Sequence, residues 1–269
     1  MRKLLVELLV LLFCIGTLWL IMSRIDWMSA LKVKKATQNT EVKIGEMVWN
    51  LMKNSEKEII IPAILLPVDS ILNQICTKNK IDRATIKFHL LNKDEINAFS
   101  LPDNHLVVFS GLVNKCENES ELAGVLCHEL AHLRKKHIMN KLVKELGLSV
   151  LITASAGNGS SGTIREALKR LSSSAYDRNL ESEADMAAVD YLINAEIDPE
   201  PFANFLYRLS DKDKNLPTQL QWISNHPDSK QRANKILESF KNRTIIKTSI
   251  LGDSSWKSLK KRLGQIEQN

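Results

Sequence analysis

Hydrophobic and polar positions follow two periods along this chain, with one long exception at its start. From Leu4 to Met22 nineteen residues are largely apolar, interrupted by Glu7, close to the roughly 20 needed to cross a bilayer as a helix. The "SRIDWM" that follows offers no small-residue cleavage site, so the run predicts an uncleaved membrane helix rather than a removed leader. A basic stalk then leads into an amphipathic helix with Val42, Met47, Val48 and Leu51 on its apolar side. In "EIIIPAILLPVDSILNQICTK" two prolines mark a loop, and a short helix is expected from about Asp69. Two strand-like runs follow, "ATIKFHLL" and "NHLVVFSGL", separated by "NKDEINAFSLPD".

The helical period is strongest in "ENESELAGVLCHELAHLRKKHIMNKLVKEL". Asn118 and Glu121 form a capping box at its start, and Leu122, Leu126, Leu130 and Leu133 form a core stripe. The apolar part of "GLSVLITASAGNGSSG" is too short to span a membrane, and its Gly/Ser run reads as a loop. Further helices are expected from about Ser174 and from near Pro201. The tail carries a basic amphipathic stretch around Trp256, Leu259 and Leu263. The reading is an α+β protein in four parts: residues 1–23 an anchor, 24–57 stalk and helix, 58–241 the main domain, 242–269 a tail.

Composition adds little. The hydrophobic fraction of 44% and charged fraction of 25% exclude disorder as the default. A net charge of +6 without a nucleic-acid motif points to a basic surface near anionic lipid, not to nucleic acid. Arg2 and Lys3 favour a cytoplasmic N-terminus, although Arg24, Lys32, Lys34 and Lys35 follow the apolar run. Long C-terminal domains are translocated largely regardless of such charges, so the body is expected on the extracytoplasmic side, periplasmic or extracellular. Cysteines do not fix the compartment: Cys76 and Cys116 could pair, but their spacing does not require it.

The chemistry sits in "CHELAHLRKKH". His128 and His132 are four apart, so both imidazoles leave one helical face toward one point, as two zinc ligands do. Glu129 follows the first as a candidate base. His137 lies about 140° further round an ideal helix and cannot join them unless the helix breaks; it reads, with His105, as a structural or surface residue. Cys127 reads as a small buried side chain. Downstream, "ESEAD" presents a Glu and an Asp four residues apart on one face. Two histidines, a Glu and an Asp supply a three-ligand zinc site and a carboxylate that orients one imidazole.

"HELAH" and "ESEAD", with "INAFSLPDNHLVVFSGL" before them and "NHPDSKQR" after, resemble the HtpX-like and CAAX-prenyl-protease-like zinc metallopeptidases, metallopeptidase family 48 within the gluzincins. The resemblance runs from about Leu66 to Phe240. It implies a gluzincin-type domain with a small antiparallel sheet over the metal helix, one zinc ion per chain and a protein or peptide substrate. On these positions it makes His128, His132 and Glu181 ligands, Glu129 the base and Asp185 the carboxylate behind a ligand. Asn97 and the strand Leu106, Val107, Val108 and Phe109 border the cleft, and His226, Pro227 and Arg232 match the family's His-Pro and Arg. Ala188 stands where the family often has glycine.

Glu181 and Glu183 point about 160° apart on a helix, and only Glu181 shares a face with Asp185. His226 is the candidate donor to the oxyanion formed on peptide hydrolysis. Substrate is expected to add a strand along Leu106–Phe109, which favours unfolded or misassembled proteins. The full expectation is a membrane-anchored zinc endopeptidase. The competing one is a zinc-stabilised chaperone or binding module with little turnover.

Overall fold

The computed structural model describes residues 33–147, 151, 153, 162, 177–212, 222 and 226–267. By Cα proximity the chain divides into residues 1–40 and residues 41–269. The apolar run Leu4–Met22 lies outside the described residues, among which no helix is long and apolar enough to cross a membrane.

Helix α1 (Val33–Lys53) buries Ile44, Val48 and Trp49. Helix α2 (Pro62–Lys78) begins seven residues before the expected Asp69. Pro62 stands at the start, where a missing N–H costs nothing. Pro67 lies inside, and the Ala63 carbonyl it leaves without a donor is on an exposed residue that water can serve.

Strands β1 (Lys87–Leu91), β2 (Ala98–Leu101) and β3 (His105–Phe109) form a sheet in the order β1-β3-β2. The sheet is mixed, not antiparallel as expected: β2 pairs antiparallel with β3, but β1 pairs parallel with it. The unforeseen strand is β2, hidden in the segment read as a connection. Asp103 and Asn104 turn it into β3 with positive φ angles, which Asp and Asn tolerate better than other side chains. Between β1 and β2 the chain crosses the end of β3, held by Gly111 N–H donating to the Lys93 carbonyl (3.0 Å). A Cβ at Gly111 would meet the Glu95 backbone at 2.7 Å, so this crossing needs glycine.

The order corrects a second expectation. Leu106–Phe109 lie in the central strand, paired on both sides and fully buried, so they cannot receive an added strand. β1 is partly covered at its outer side, where Ile59 N–H donates to the Leu90 carbonyl (2.7 Å). Among the described residues no strand covers the outer side of β2. Asn97 faces β3, its carbonyl accepting from Phe109 N–H (3.0 Å); by the alternation of a ladder, Ala98 and Ser100 turn their main-chain groups outward.

Helices α3 (Ser110–Lys115), α4 (Glu119–Arg134) and α5 (His137–Leu146) follow, then α6 (Arg178–Asn194), α7 (Glu200–Lys212), α8 (Ser229–Phe240) and α9 (Gly252–Glu267). Asn118 caps α4 by accepting from Glu121 N–H (3.0 Å), and the Glu121 carboxylate accepts from Glu117 N–H (2.8 Å). The leucine stripe is buried, but so is every residue from Glu121 to Leu133. The helix packs against α6, α7, β2 and α2, and is therefore the axis of the domain, not a surface helix. At Gly124 the axis touches α7 so closely that a Cβ would fall 2.3 Å from Phe202 Cβ. Trp256, Leu259 and Leu263 of α9 join the same core, and Cys76, Cys116 and Cys127 are buried free thiols.

His89 and His105 stack on Trp49 beside the sheet. His89 Nδ1 lies 2.7 Å from Glu58 and its Nε2 2.9 Å from His105 Nδ1. Burial lowers both pKa values, that of His105 to about 4 despite Asp103 nearby, with Lys53 and Lys87 opposing protonation. The unfolded chain then binds more protons below the ordinary histidine range. Stability is fully present above about pH 6.5 and is lost as pH falls toward about 4. Calorimetry across that window should show a falling Tm, and His105→Phe, which keeps the stacking but not the titration, should flatten the fall.

Candidate metal centre

Helix α4 places His128 and His132 one turn apart, and α6 brings Glu181 against them. Each carboxylate or imidazole here is at least 98% buried. His132 Nε2 lies 3.1 Å from His128 Nε2 and 3.3 Å from Glu181 Oε1. His226 enters the same cluster: its Nδ1 is 3.2 Å from His128 Nε2 and 2.9 Å from Glu181 Oε1. One ligand atom from each of His128, His132, Glu181 and His226 falls within 4.8 Å of the others.

These separations have a physical reading. Asp185 Oδ1 lies 3.0 Å from His128 Nδ1, so that nitrogen carries the proton and Nε2 presents a lone pair. A carboxylate also presents only lone pairs. Bare lone pairs converging on one buried point repel unless a cation sits among them. Four donors held tetrahedrally at the usual zinc distances stand about 3.3 Å apart, matching the contacts above. The donor set fits zinc.

The second layer is ionic. Arg232 grips Asp185 with two hydrogen bonds (2.8 and 2.7 Å) and reaches Glu181 Oε2 at 2.8 Å. Burial raises the Asp185 pKa, but Arg232 and His128 outweigh it and hold the carboxyl near 2. Burial likewise opposes ionisation of Glu181, yet His226 and Arg232 keep it well below the ordinary range. Burial, aided by Arg232, lowers the His128 pKa to about 3, so its imidazole is neutral, as a ligand must be.

Glu129 points elsewhere. Its carboxylate accepts from Trp222 Nε1 (3.1 Å) and from Ser100 Oγ (3.1 Å), and lies 3.4 Å from His226 Nε2. Burial raises its pKa to about 7 against His132, Trp222 and Ser100, a value suited to exchanging a proton near neutrality. Ser100 and Trp222 were missed by sequence reasoning. Ser100 lies in the unrecognised strand, and a single Trp carries no periodic signal.

His128, Glu129, His132, Glu181, Asp185, Arg232 and His226 therefore meet, and Asn97 lies at the start of the adjoining strand. Leu106–Phe109 do not reach the cluster as a substrate edge. His226, expected as an oxyanion donor, lies within 4.8 Å of the candidate ligand atoms. Glu183 is on the outer face, half exposed and paired with Lys135 (2.6 Å). Glu181→Ala should accordingly lose most bound zinc by elemental analysis, and Glu183→Ala should remain stoichiometric.

The model for peptidase family M48 matches residues 67–239. Beta-barrel assembly-enhancing protease of Yersinia pestis is 27% identical over 217 residues, covering 73% of this chain and 44% of that protein. The same-named Escherichia coli K12 protein is 25% identical over 237 residues, 79% of this chain and 48% of its own. Mitochondrial metalloendopeptidase OMA1 of Schizosaccharomyces pombe is 29% identical over 175 residues, 64% and 52% respectively. The chain thus spans about half the length of these curated relatives. With well over half its own length matched by the family model and that stretch holding every residue of the cluster, the chain belongs to peptidase family M48.

Proposed function

We propose that this chain is a zinc-dependent endopeptidase that hydrolyses unfolded or misassembled proteins, its body tethered to a membrane through Leu4–Met22 and lying on the extracytoplasmic side. The observation that carries the reading is a four-donor cage with a separately anchored carboxylate, Glu129, beside it. A purely structural zinc site would have no use for a buried carboxylate held beside the donors by Ser100 and Trp222. The relatives, two named as proteases and one as a metalloendopeptidase, agree with it.

His128, His132 and Glu181 would hold the ion, which when bound acidifies a water and polarises a peptide carbonyl. Glu129 would act as the base, accepting a proton from the attacking water and returning it to the leaving amine. Ser100 and Trp222 hold the carboxylate in place on either oxygen. Asp185 keeps the His128 proton on Nδ1, and Arg232 neutralises the carboxylates behind the ligands. The outward groups of Ala98 and Ser100 on β2 offer an extended peptide an edge to pair with. Ser100 would thereby link the substrate edge to the base. Main-chain pairing reads little sequence, which suits loosely folded substrates.

In this arrangement His226 holds the position a water needs, so it restrains the enzyme until displaced. Glu129→Gln should abolish casein cleavage with zinc still bound; residual cleavage above a few per cent would remove the base from Glu129. His226→Ala should raise turnover with zinc retained. A loss of about a hundredfold would instead return His226 to the oxyanion role.

A further inference from the structure

Helix α4 does not run on to His137. Lys135 ends it, its N–H donating to the Ala131 carbonyl (2.9 Å), and Lys136 takes a left-handed conformation, φ 55°. A non-glycine residue there is strained by roughly 1–3 kcal/mol, so the surrounding structure must hold it. The consequence of the break is positional. His137 starts α5 turned back toward α4, 2% exposed, its Nδ1 3.1 Å from His132 Nδ1. Its Nε2 lies 3.5 Å from Glu183 Oε2, and Glu183 is held by Lys135 at 2.6 Å.

We infer that His137 is the positioning residue for the ligand His132, doing for it what Asp185 does for His128. The inference rests on the metal reading above. Its chemistry follows from proton placement. His132 Nε2 faces the other donors and must present its lone pair, so its proton is on Nδ1. That N–H has His137 Nδ1 as its acceptor. His137 Nδ1 must then be bare, which puts its own proton on Nε2, directed at the Glu183 carboxylate. The chain His132–His137–Glu183–Lys135 runs from the buried cage to the surface, fixes the ring of one ligand and makes it a stronger donor. Glu183, which cannot reach the metal, thereby acquires a role one step removed.

The test measures zinc affinity of the full chain, purified in detergent, by competition with a chelator, alongside the d–d spectrum of the cobalt-substituted protein and melting of the metal-free protein. His137→Leu keeps the bulk and removes the acceptor; it should weaken zinc binding about 10- to 100-fold. His137→Asn, whose amide oxygen can accept near the Nδ1 position, should recover binding to within a few-fold and restore the parent cobalt spectrum. Glu183→Gln, on a half-exposed side chain, should weaken zinc several-fold in the parent and have no further effect beside His137→Leu. Unchanged affinity in His137→Leu overturns the inference, as does an Asn variant as weak as the Leu one when both metal-free proteins melt below the parent. Those outcomes leave the metal reading standing. A parent that takes up no zinc sinks both.

Discussion

The arrangement depends on one electrostatic constraint: donor atoms of His128, His132, Glu181 and His226 are buried within 4.8 Å of one another. Such a cage is tolerable only around a cation, and its ligands stay in place only if each is gripped from behind. Asp185 grips His128, Arg232 grips Glu181 and Asp185 together, and His137 backs His132. The carboxylates and Arg232 offset each other's burial, so the metal would enter a nearly balanced environment.

That constraint explains why α4 is buried on all sides. The helix packs on α2 and β2 as well as on α6, and its histidines meet Glu181 of α6 and His226. A surface helix could not enclose the cage. β2 lies on the flank of α4 that carries Glu129, and the Ser100 hydroxyl donates to both the Glu129 main-chain carbonyl (2.7 Å) and its carboxylate. The Glu129 carboxylate is thus set by the sheet, and the candidate donor cluster by the helices.

Much of the ligand set was legible because it is local. Four-residue spacings place His128 with His132 and Glu181 with Asp185 on helical faces regardless of what surrounds them. The choice of Glu181 over Glu183 followed from the same periodicity, and the structure brings Glu181 alone of the two into the cluster. What could not be read depends on breaks and crossings. His137 reaches His132 only because Lys136 leaves helical geometry, which nothing in "RKKH" announces. The sheet was misjudged because a four-residue strand is too short for a period and because β1 meets β3 only after the chain crosses over Gly111. His226 was named from the sequence, but its contacts with Trp222 and Arg232 depend on packing that no local spacing announces.

The central claim is that the cage holds one zinc ion by nitrogen and oxygen donors with His226 among them. X-ray absorption at the zinc edge of the loaded protein tests it most directly. The account predicts four nitrogen or oxygen neighbours at about 2.0–2.1 Å, with outer-ring scattering from three imidazoles that falls to two in His226→Ala. Sulfur scattering, or a six-coordinate shell rich in water with fewer than two imidazoles, would contradict it.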